Sequence, residues 1–332
     1  MRTERFNRRV AWVREPGGTD VHEIRAETLP PLTHDAVLVR VEAVGLNHVE
    51  TLVRRGTYAV KIPCPYAAGI EGSGVVIDRG PDADLEPGTR VAWTAVFGCC
   101  ATVVIAPASR LARLPDGLDF EAGASLSHAG MTAAGLARHW PLAAGATVVV
   151  WGAAGGVGQV LTALLESRGV RVIGIASGER VAAVRAAGAA CAVDRTRENV
   201  LQAVRDQTNG RGVAAVFDPV GSATYRTSLG LLAPRGCLVN YGQLSGSLPD
   251  VDLEDVMEAG SVFVTKYGPK AGVVGQHEIG SLVAETLQVV AARSLPVPIA
   301  GRFPLEQVAE AYRALEAVPP GKILILPNQP VG

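Results

Sequence analysis

No run of apolar residues in this 332-residue chain approaches the ~20 positions that a membrane-spanning helix requires, so a membrane role is not expected. Met1 to Arg9 is polar and Arg-rich, and the apolar stretch at Val10–Val13 is far too short for the core of a secretion signal. Cysteine is scarce: Cys64, Cys99, Cys100, Cys191 and Cys237 make five, an odd number scattered along a long chain, which is not a disulfide framework. Charge of either sign is not in excess, since 31 Lys and Arg nearly cancel 32 Asp and Glu and leave a formal charge of -1. That balance supplies neither an electrostatic footprint for nucleic acid nor a polybasic membrane patch. Internal repeats and low-complexity segments are also missing. What remains reads as a cytoplasmic protein of a reducing compartment. Its composition, 48% hydrophobic and 19% charged, is that of a folded protein, and its length suggests two domains.

The two parts of the chain differ in texture. Between Ala36 and Gly45, Val37, Val39, Val41 and Ala43 alternate with Leu38, Arg40, Glu42 and Val44, the period-2 pattern of a strand. Short strands at Ser73–Ile77, Arg90–Ala95 and Thr102–Ala106 follow, punctuated by Gly and Pro, so the first ~125 residues read as an irregular antiparallel unit. After Gly145 strands and helices alternate. Strands are expected at Thr147–Trp151, Val170–Ala176, Cys191–Val193, Val213–Asp218, Cys237–Tyr241 and Ser261–Thr265. Helices are expected at Val157–Arg168, Glu179–Ala187, Glu198–Gln207 and Ala223–Leu232. Six such strands fit a doubly wound parallel sheet made of two mononucleotide-binding halves. Helices over Gly275–Ala292 and Leu305–Ala317 and a strand at Lys322–Leu326 close the chain.

The strongest local signal is Gly152-Ala153-Ala154-Gly155-Gly156-Val157-Gly158, directly after the apolar strand Thr147–Trp151 and opening a helix. That is the context a dinucleotide fingerprint requires, here with Ala153 at its first glycine position. Gly155 and Gly156 let the backbone approach a pyrophosphate, and Gly158 permits close packing of helix on strand. The second strand ends Ile175-Ala176-Ser177-Gly178, without the acid that binds the ribose 2′-hydroxyl of NAD. Arg180 and Arg195 nearby suit a 2′-phosphate and hence NADPH, because guanidinium matches phosphate geometry. Glu179 keeps NAD open.

With these residues in view, the chain resembles the medium-chain dehydrogenases/reductases. Gly45-Leu46-Asn47-His48-Val49-Glu50-Thr51, Gly56-Thr57-Tyr58, Gly69-Ile70-Glu71-Gly72-Ser73-Gly74, the glycine loop and Gly321-Lys322 occur in that family's order. They are most similar to its zinc-free quinone oxidoreductase, or zeta-crystallin-like, subgroup. The resemblance spans essentially the whole chain. It implies an α/β architecture: a GroES-like irregular β catalytic domain at 1–127 and 268–332, and a doubly wound parallel-sheet Rossmann domain at 128–267. It also implies NADPH-dependent hydride transfer to a quinone or an activated C=C acceptor such as an enone, in a homodimer joined through the last Rossmann strand.

Carried over by position, Asn47, Thr132, Tyr241, Gly242, Lys266, Tyr267, Gly268 and Lys322 would line the nicotinamide end. Ala154, Gly155, Gly156 and Val157 would hold the pyrophosphate, and Ser177, Arg180 and Arg195 the adenosine end. Tyr58, Asn47 and His128 are the catalytic candidates; Tyr58 comes first as the donor to a developing oxyanion. Each has a plainer reading: a turn tyrosine, a loop-stabilising amide, a structural histidine. The chain departs from its relatives in Ala129, where they often carry Lys, and in Arg195, where they often carry Tyr or His. Where zinc alcohol dehydrogenases place Cys, His and Cys, this chain has Asn47, Ile70 and His128, so no metal is expected. An enoyl-thioester reductase of a biosynthetic pathway and a non-catalytic, crystallin-like NADPH-binding protein remain alternatives.

Overall fold

A computed structural model describes residues 6–58, 61–268, 278–317 and 321–329. The chain forms two compact units. The first comprises Met1–Met131, Gln276–Ala291 and Val297–Gly332, the second Thr132–Gly275 and Ala292–Pro296. The chain passes from the first to the second inside one long helix, α2 below, whereas the sequence puts the division at 127/128.

In the first unit the strands are β1 (Asn7–Val13), β2 (His22–Thr28), β3 (Ala36–Gly45), β4 (Tyr66–Ala67), β5 (Glu71–Arg79), β6 (Arg90–Thr94), β7 (Val103–Pro107) and β8 (Leu111–Arg113). Helix α1 (His48–Arg54) follows β3, and α2 spans Phe120–His139. After the second unit come α8 (Ile279–Arg293), β15 (Ile299–Pro304), α9 (Val308–Glu316) and β16 (Lys322–Leu326). A seven-stranded sheet runs β15-β16-β3-β5-β6-β8, with β7 also pairing β3, and β2-β1-β4 form a smaller sheet. Within the first ~125 residues every strand pairing is antiparallel, as expected there, while β15 and β16 from the end of the chain pair in parallel. The alternation in β3 works as read, but both faces are covered: only Arg40 is exposed along the strand. Its core gathers Val37, Val39, Val41, Trp93, Leu305 and Ile325, so residues from both ends of the chain share one apolar interior.

The second unit holds β9 (Thr147–Trp151), α3 (Gly156–Ser167), β10 (Arg171–Ala176), α4 (Val181–Ala186), β11 (Cys191–Asp194), α5 (Val200–Thr208), β12 (Val213–Asp218), α6 (Tyr225–Leu231), β13 (Leu232–Asn240), α7 (Leu253–Glu258) and β14 (Phe263–Lys266). All six strands are parallel in the order β11-β10-β9-β12-β13-β14, the arrangement of two mononucleotide-binding halves that the alternation implies.

Boundary differences have local causes. The helix expected from Glu179 begins as a 3-10 turn at Gly178–Arg180, so Arg180 precedes α4 rather than lying inside it. Helix α5 starts late because the Asn199 side chain accepts from the Gln202 amide and caps it. Helix α7, capped by Asp252, was not foreseen. The start of the helix expected over Gly275–Ala292 lies outside the described residues.

Candidate active site

The first unit concentrates its polar chemistry around one carboxylate. Glu71 opens β5 and is fully buried. The glycines beside it are what let it sit there. A Cβ on Gly69, whose φ is 93°, would stand 2.4 Å from the Cys100 amide nitrogen, and one on Gly72 would stand 2.7 Å from the Trp93 ring. Glu71 accepts from the His128 amide (2.6 Å), from Asn47 Nδ2 (2.9 Å) and from Lys322 Nζ (2.6 Å). The ammonium of Lys322 also donates to Asn47 Oδ1 at 2.9 Å. Lys322 reaches this point across Gly45, where a Cβ would lie 2.7 Å from its Cε. Four donor–acceptor contacts therefore lock three side chains from three separate segments, and a buried charge is compensated by a cation and two amides.

Asn47 caps α1, and its own amide donates to Glu50 Oε2 at 2.9 Å. Glu50 is buried and also accepts from the Tyr312 hydroxyl at 3.1 Å. Burial pushes its carboxyl up to about 7, with the Asn47 amide opposing. The His128 ring lies 3.0 Å from Thr94 Oγ1, and burial holds its imidazole below the ordinary value, with Glu71 partly opposing. The ring is thus a neutral hydrogen-bonding group rather than a charged acid. Tyr58 sits on the turn after α1, its amide donating to Leu52 O, and its half-buried phenol has no hydrogen-bond partner among the described residues.

The structure therefore unites Asn47, His128 and Lys322, three of the residues singled out from sequence, on a fourth, Glu71, that was quoted within a motif but given no role. Its partners lie 24, 57 and 251 residues away, beyond any local pattern; the available signal was a lone acid among glycines at a strand entrance.

In the second unit the glycine loop lies at the carboxyl end of β9. Gly155 is the N-cap of α3 with extended backbone, and no side chain caps the helix. The amides of Gly156, Val157 and Gly158 thus open a helix with no intrahelical acceptor. Gly158 packs where a Cβ would be 2.3 Å from Gly152 O, as the close-packing role requires. Gln159 Nε2 donates to Ala154 O at 3.0 Å, while its buried Oε1 has no partner. At the end of β13, Asn240 Nδ2 ties Asp218 O to Gly242 O, both at 3.0 Å, and its buried Oδ1 is likewise orphaned. Tyr241 follows, its phenol raised by burial. The Tyr267 ring is used in packing: it meets His139 edge-on at 5.4 Å, and its hydroxyl lies over Gly135 of α2. Lys266 is exposed beside it, Gly268 is half-buried, and Thr132 lies in mid-α2 rather than at a helix start.

At the adenosine end the Arg195 amide donates to Ala176 O at 3.0 Å, bringing the loop after β11 beside Ser177. Arg180 and Arg195 are exposed, and neither forms an ion pair among the described residues. Sequence reading missed Asp194, which ends β11 and accepts from the Gly178 amide (3.0 Å), the Thr196 amide (3.0 Å) and the Thr196 hydroxyl (2.6 Å). These bonds, the Thr196 hydroxyl foremost, hold its carboxyl down at about 2. The acid expected after the second strand is absent, but one after the third fixes the same loop.

The fold and these two polar centres define a medium-chain dehydrogenase/reductase. Residues 33–116 match the alcohol dehydrogenase GroES-like domain family and residues 156–270 the zinc-binding dehydrogenase family. A quinone oxidoreductase of Pseudomonas aeruginosa is 33% identical over 91% of this chain and 94% of its own. The structure of a mycobacterial protein solved with NADPH, 33% identical, superposes with a TM-score of 0.80 over 96% of this chain and 100% of the other. A 2-haloacrylate reductase of Burkholderia is 30% identical over 88% of this chain and 91% of its own. The chain belongs to the quinone oxidoreductase-type medium-chain dehydrogenases/reductases and is an oxidoreductase. The zinc named in one family description does not fit these residues. No group of three His, Cys, Asp or Glu side chains among those described could hold a metal, and the His128 imidazole lies against Thr94.

Proposed function

We propose that this protein uses NADPH to reduce a quinone or an activated C=C acceptor without zinc. The observation that carries the reading is the uncapped first turn of α3 behind the glycine loop, at the first strand of a 3-2-1-4-5-6 parallel sheet. Those amides suit the pyrophosphate, Arg180 and Arg195 suit the 2′-phosphate, and the orphaned Asn240 Oδ1 suits a donor at the nicotinamide end. The bound cofactor supplies the hydride. The chain supplies orientation and a donor for the charge that develops on the acceptor, and the unpartnered Tyr58 phenol is that donor. Lys322, held between Glu71 and Asn47, supplies the fixed positive charge of the first unit, and His128 a neutral ring. Relatives named for a quinone and for an unsaturated acid support both acceptor classes.

Anaerobic NADPH oxidation with a panel of quinones and enones, with and without a chelator, tests the reading. Turnover on either class, unaffected by chelation, is expected; turnover dependent on a tightly bound zinc would overturn it.

The protein works as a cytoplasmic homodimer joined along β14. That strand is an edge of the sheet, Phe263 on it is 44% exposed, and Leu253 and Met257 nearby are exposed as well. Light scattering of Phe263→Asp, expected to be monomeric where the parent is dimeric, tests the contact.

A further inference from the structure

The parallel sheet has a second end. Thr147, Arg171 and Ala233 stand at or next to the first residues of β9, β10 and β13, and Arg211 and Gly212 immediately precede β12. These residues, with Trp140 and Arg235, line an open cavity of about 700 Å³. Strands β9, β10 and β12 run five or six residues from there to the end of the sheet that carries the glycine loop, so at ~3.3 Å per residue the two ends lie well over 10 Å apart. The cavity is therefore not part of the dinucleotide site.

Its lining holds three arginines and no Asp or Glu. Among the described residues none of the three guanidiniums meets a carboxylate. Arg171 donates to the neutral Gln207 side chain (2.5 Å) and to Gln207 O (3.3 Å), Arg211 Nε reaches only Thr208 O (3.4 Å), and Arg235 makes no side-chain hydrogen bond. In a chain whose net charge is -1, three unneutralised cations around one concavity form a local positive field that draws anions. Backbone geometry adds an independent mark. Arg235 adopts φ 63°, the left-handed region where a glycine is unstrained and an arginine is not. The Arg235 amide donates to Gly260 O at 2.9 Å, which holds that conformation and keeps its side chain at the cavity.

We propose that this cavity is an anion site for a ligand carrying two or more adjacent phosphate groups. A single phosphate would occupy a small part of the volume and engage one guanidinium fork. A diphosphate carries the charge to engage more than one guanidinium.

The test is isothermal titration of the full-length protein saturated with NADPH, which keeps the probes away from the glycine loop, at low salt. The probes are orthophosphate, inorganic pyrophosphate and ADP. Pyrophosphate is expected to bind one per chain, more tightly than orthophosphate, and to weaken with added salt. Arg235→Gly, which puts glycine where the backbone favours it, and Arg211→Gln are each expected to weaken binding about tenfold or more, with Tm and NADPH turnover unchanged. ADP binding tighter than pyrophosphate assigns the site to nucleotides; equal binding assigns it to inorganic polyphosphates. No saturable binding, or binding that survives the Arg211→Gln/Arg235→Gly double variant, overturns the proposal.

Discussion

Glu71 and the first turn of α3 are both concentrations of polar groups, and the fold treats them oppositely. Around Glu71 each oxygen is matched by a donor within 2.9 Å, and the charge is buried with its cation. At α3 the helix opens uncapped beside exposed glycines, and two buried side-chain acceptors of the unit, Gln159 Oε1 and Asn240 Oδ1, are left unpaired. The first region is finished by the protein itself; the second is finished only by a ligand. Mutations in the first should therefore be read in stability and mutations in the second in binding.

The largest effect should come from breaking the finished region. Lys322→Met leaves Glu71 buried without its cation, and removal of one partner of a buried pair costs about 3–5 kcal/mol. Calorimetry should show the corresponding fall in Tm, and adding Glu71→Gln should restore much of it. A single variant that melts with the parent would mean that Glu71 does not depend on Lys322.

Tyr58 sharpens the contrast, a half-buried phenol without a hydrogen-bond partner among the described residues, in the same unit as the fully matched Glu71. Tyr58→Phe should leave Tm alone and lower kcat on enones by the roughly 2.7–4 kcal/mol that one oxyanion donor contributes. Quinones, whose reduction demands less of a positioned donor, should suffer less. Unchanged kcat on every acceptor would reduce Tyr58 to packing.

In the open region, Arg180→Ala and Arg195→Ala should each raise KM for NADPH about ten- to a hundred-fold, in line with the ~1.5–3 kcal/mol of a charge-assisted bond. NADH kinetics and Tm should hardly change. Equal losses with both cofactors would show that neither arginine reads the phosphate.

The smallest effect is a pH slope within the finished region. Glu50, raised to about 7, binds its proton more tightly folded than unfolded, so its contribution to stability is complete below pH 4.5 and is lost as pH rises to 7. His22 stacks on Tyr312 at 4.5 Å, and burial lowers it to about 4, so its contribution grows from pH 4 to 6.5. Both side chains meet the same tyrosine, and between pH 4.5 and 6.5 they oppose each other. His48 and His128 are also lowered by burial and add to the rising limb, so urea unfolding should show the parent gaining stability as pH rises through this window. Glu50→Gln should steepen that rise and His22→Phe should flatten it, each by about 1.4 kcal/mol per pH unit at most. Parallel profiles for all three proteins would refute the assignment.

The open region was legible in the sequence because its information is local. An apolar strand, a glycine loop and a helix follow one another within a dozen residues, and strand–helix alternation fixes the sheet order through the handedness of each crossover. The finished region was legible only in part. Asn47, His128 and Lys322 were singled out by resemblance, but their shared carboxylate was not, since its partners are distributed across the chain. Asp194 escaped for a related reason. The acid was sought at the end of the second strand, whereas the parallel pairing of Ala176 with Asp194 lets the third strand supply it to the same loop.

Lys322 lies on β16, which pairs with β3 near the other end of the chain, and the whole second unit is interposed between them in sequence. The ion pair with Glu71 closes a loop of 251 residues. Such closure is slow compared with the short crossovers of the parallel sheet. The parallel sheet of the second unit takes no strand from β16, whereas a chain halted before β16 would hold Glu71 with the Asn47 and His128 amides but without its cation. In chain order the countercharge of Glu71 is the last of its partners to be supplied, after Asn47 and His128.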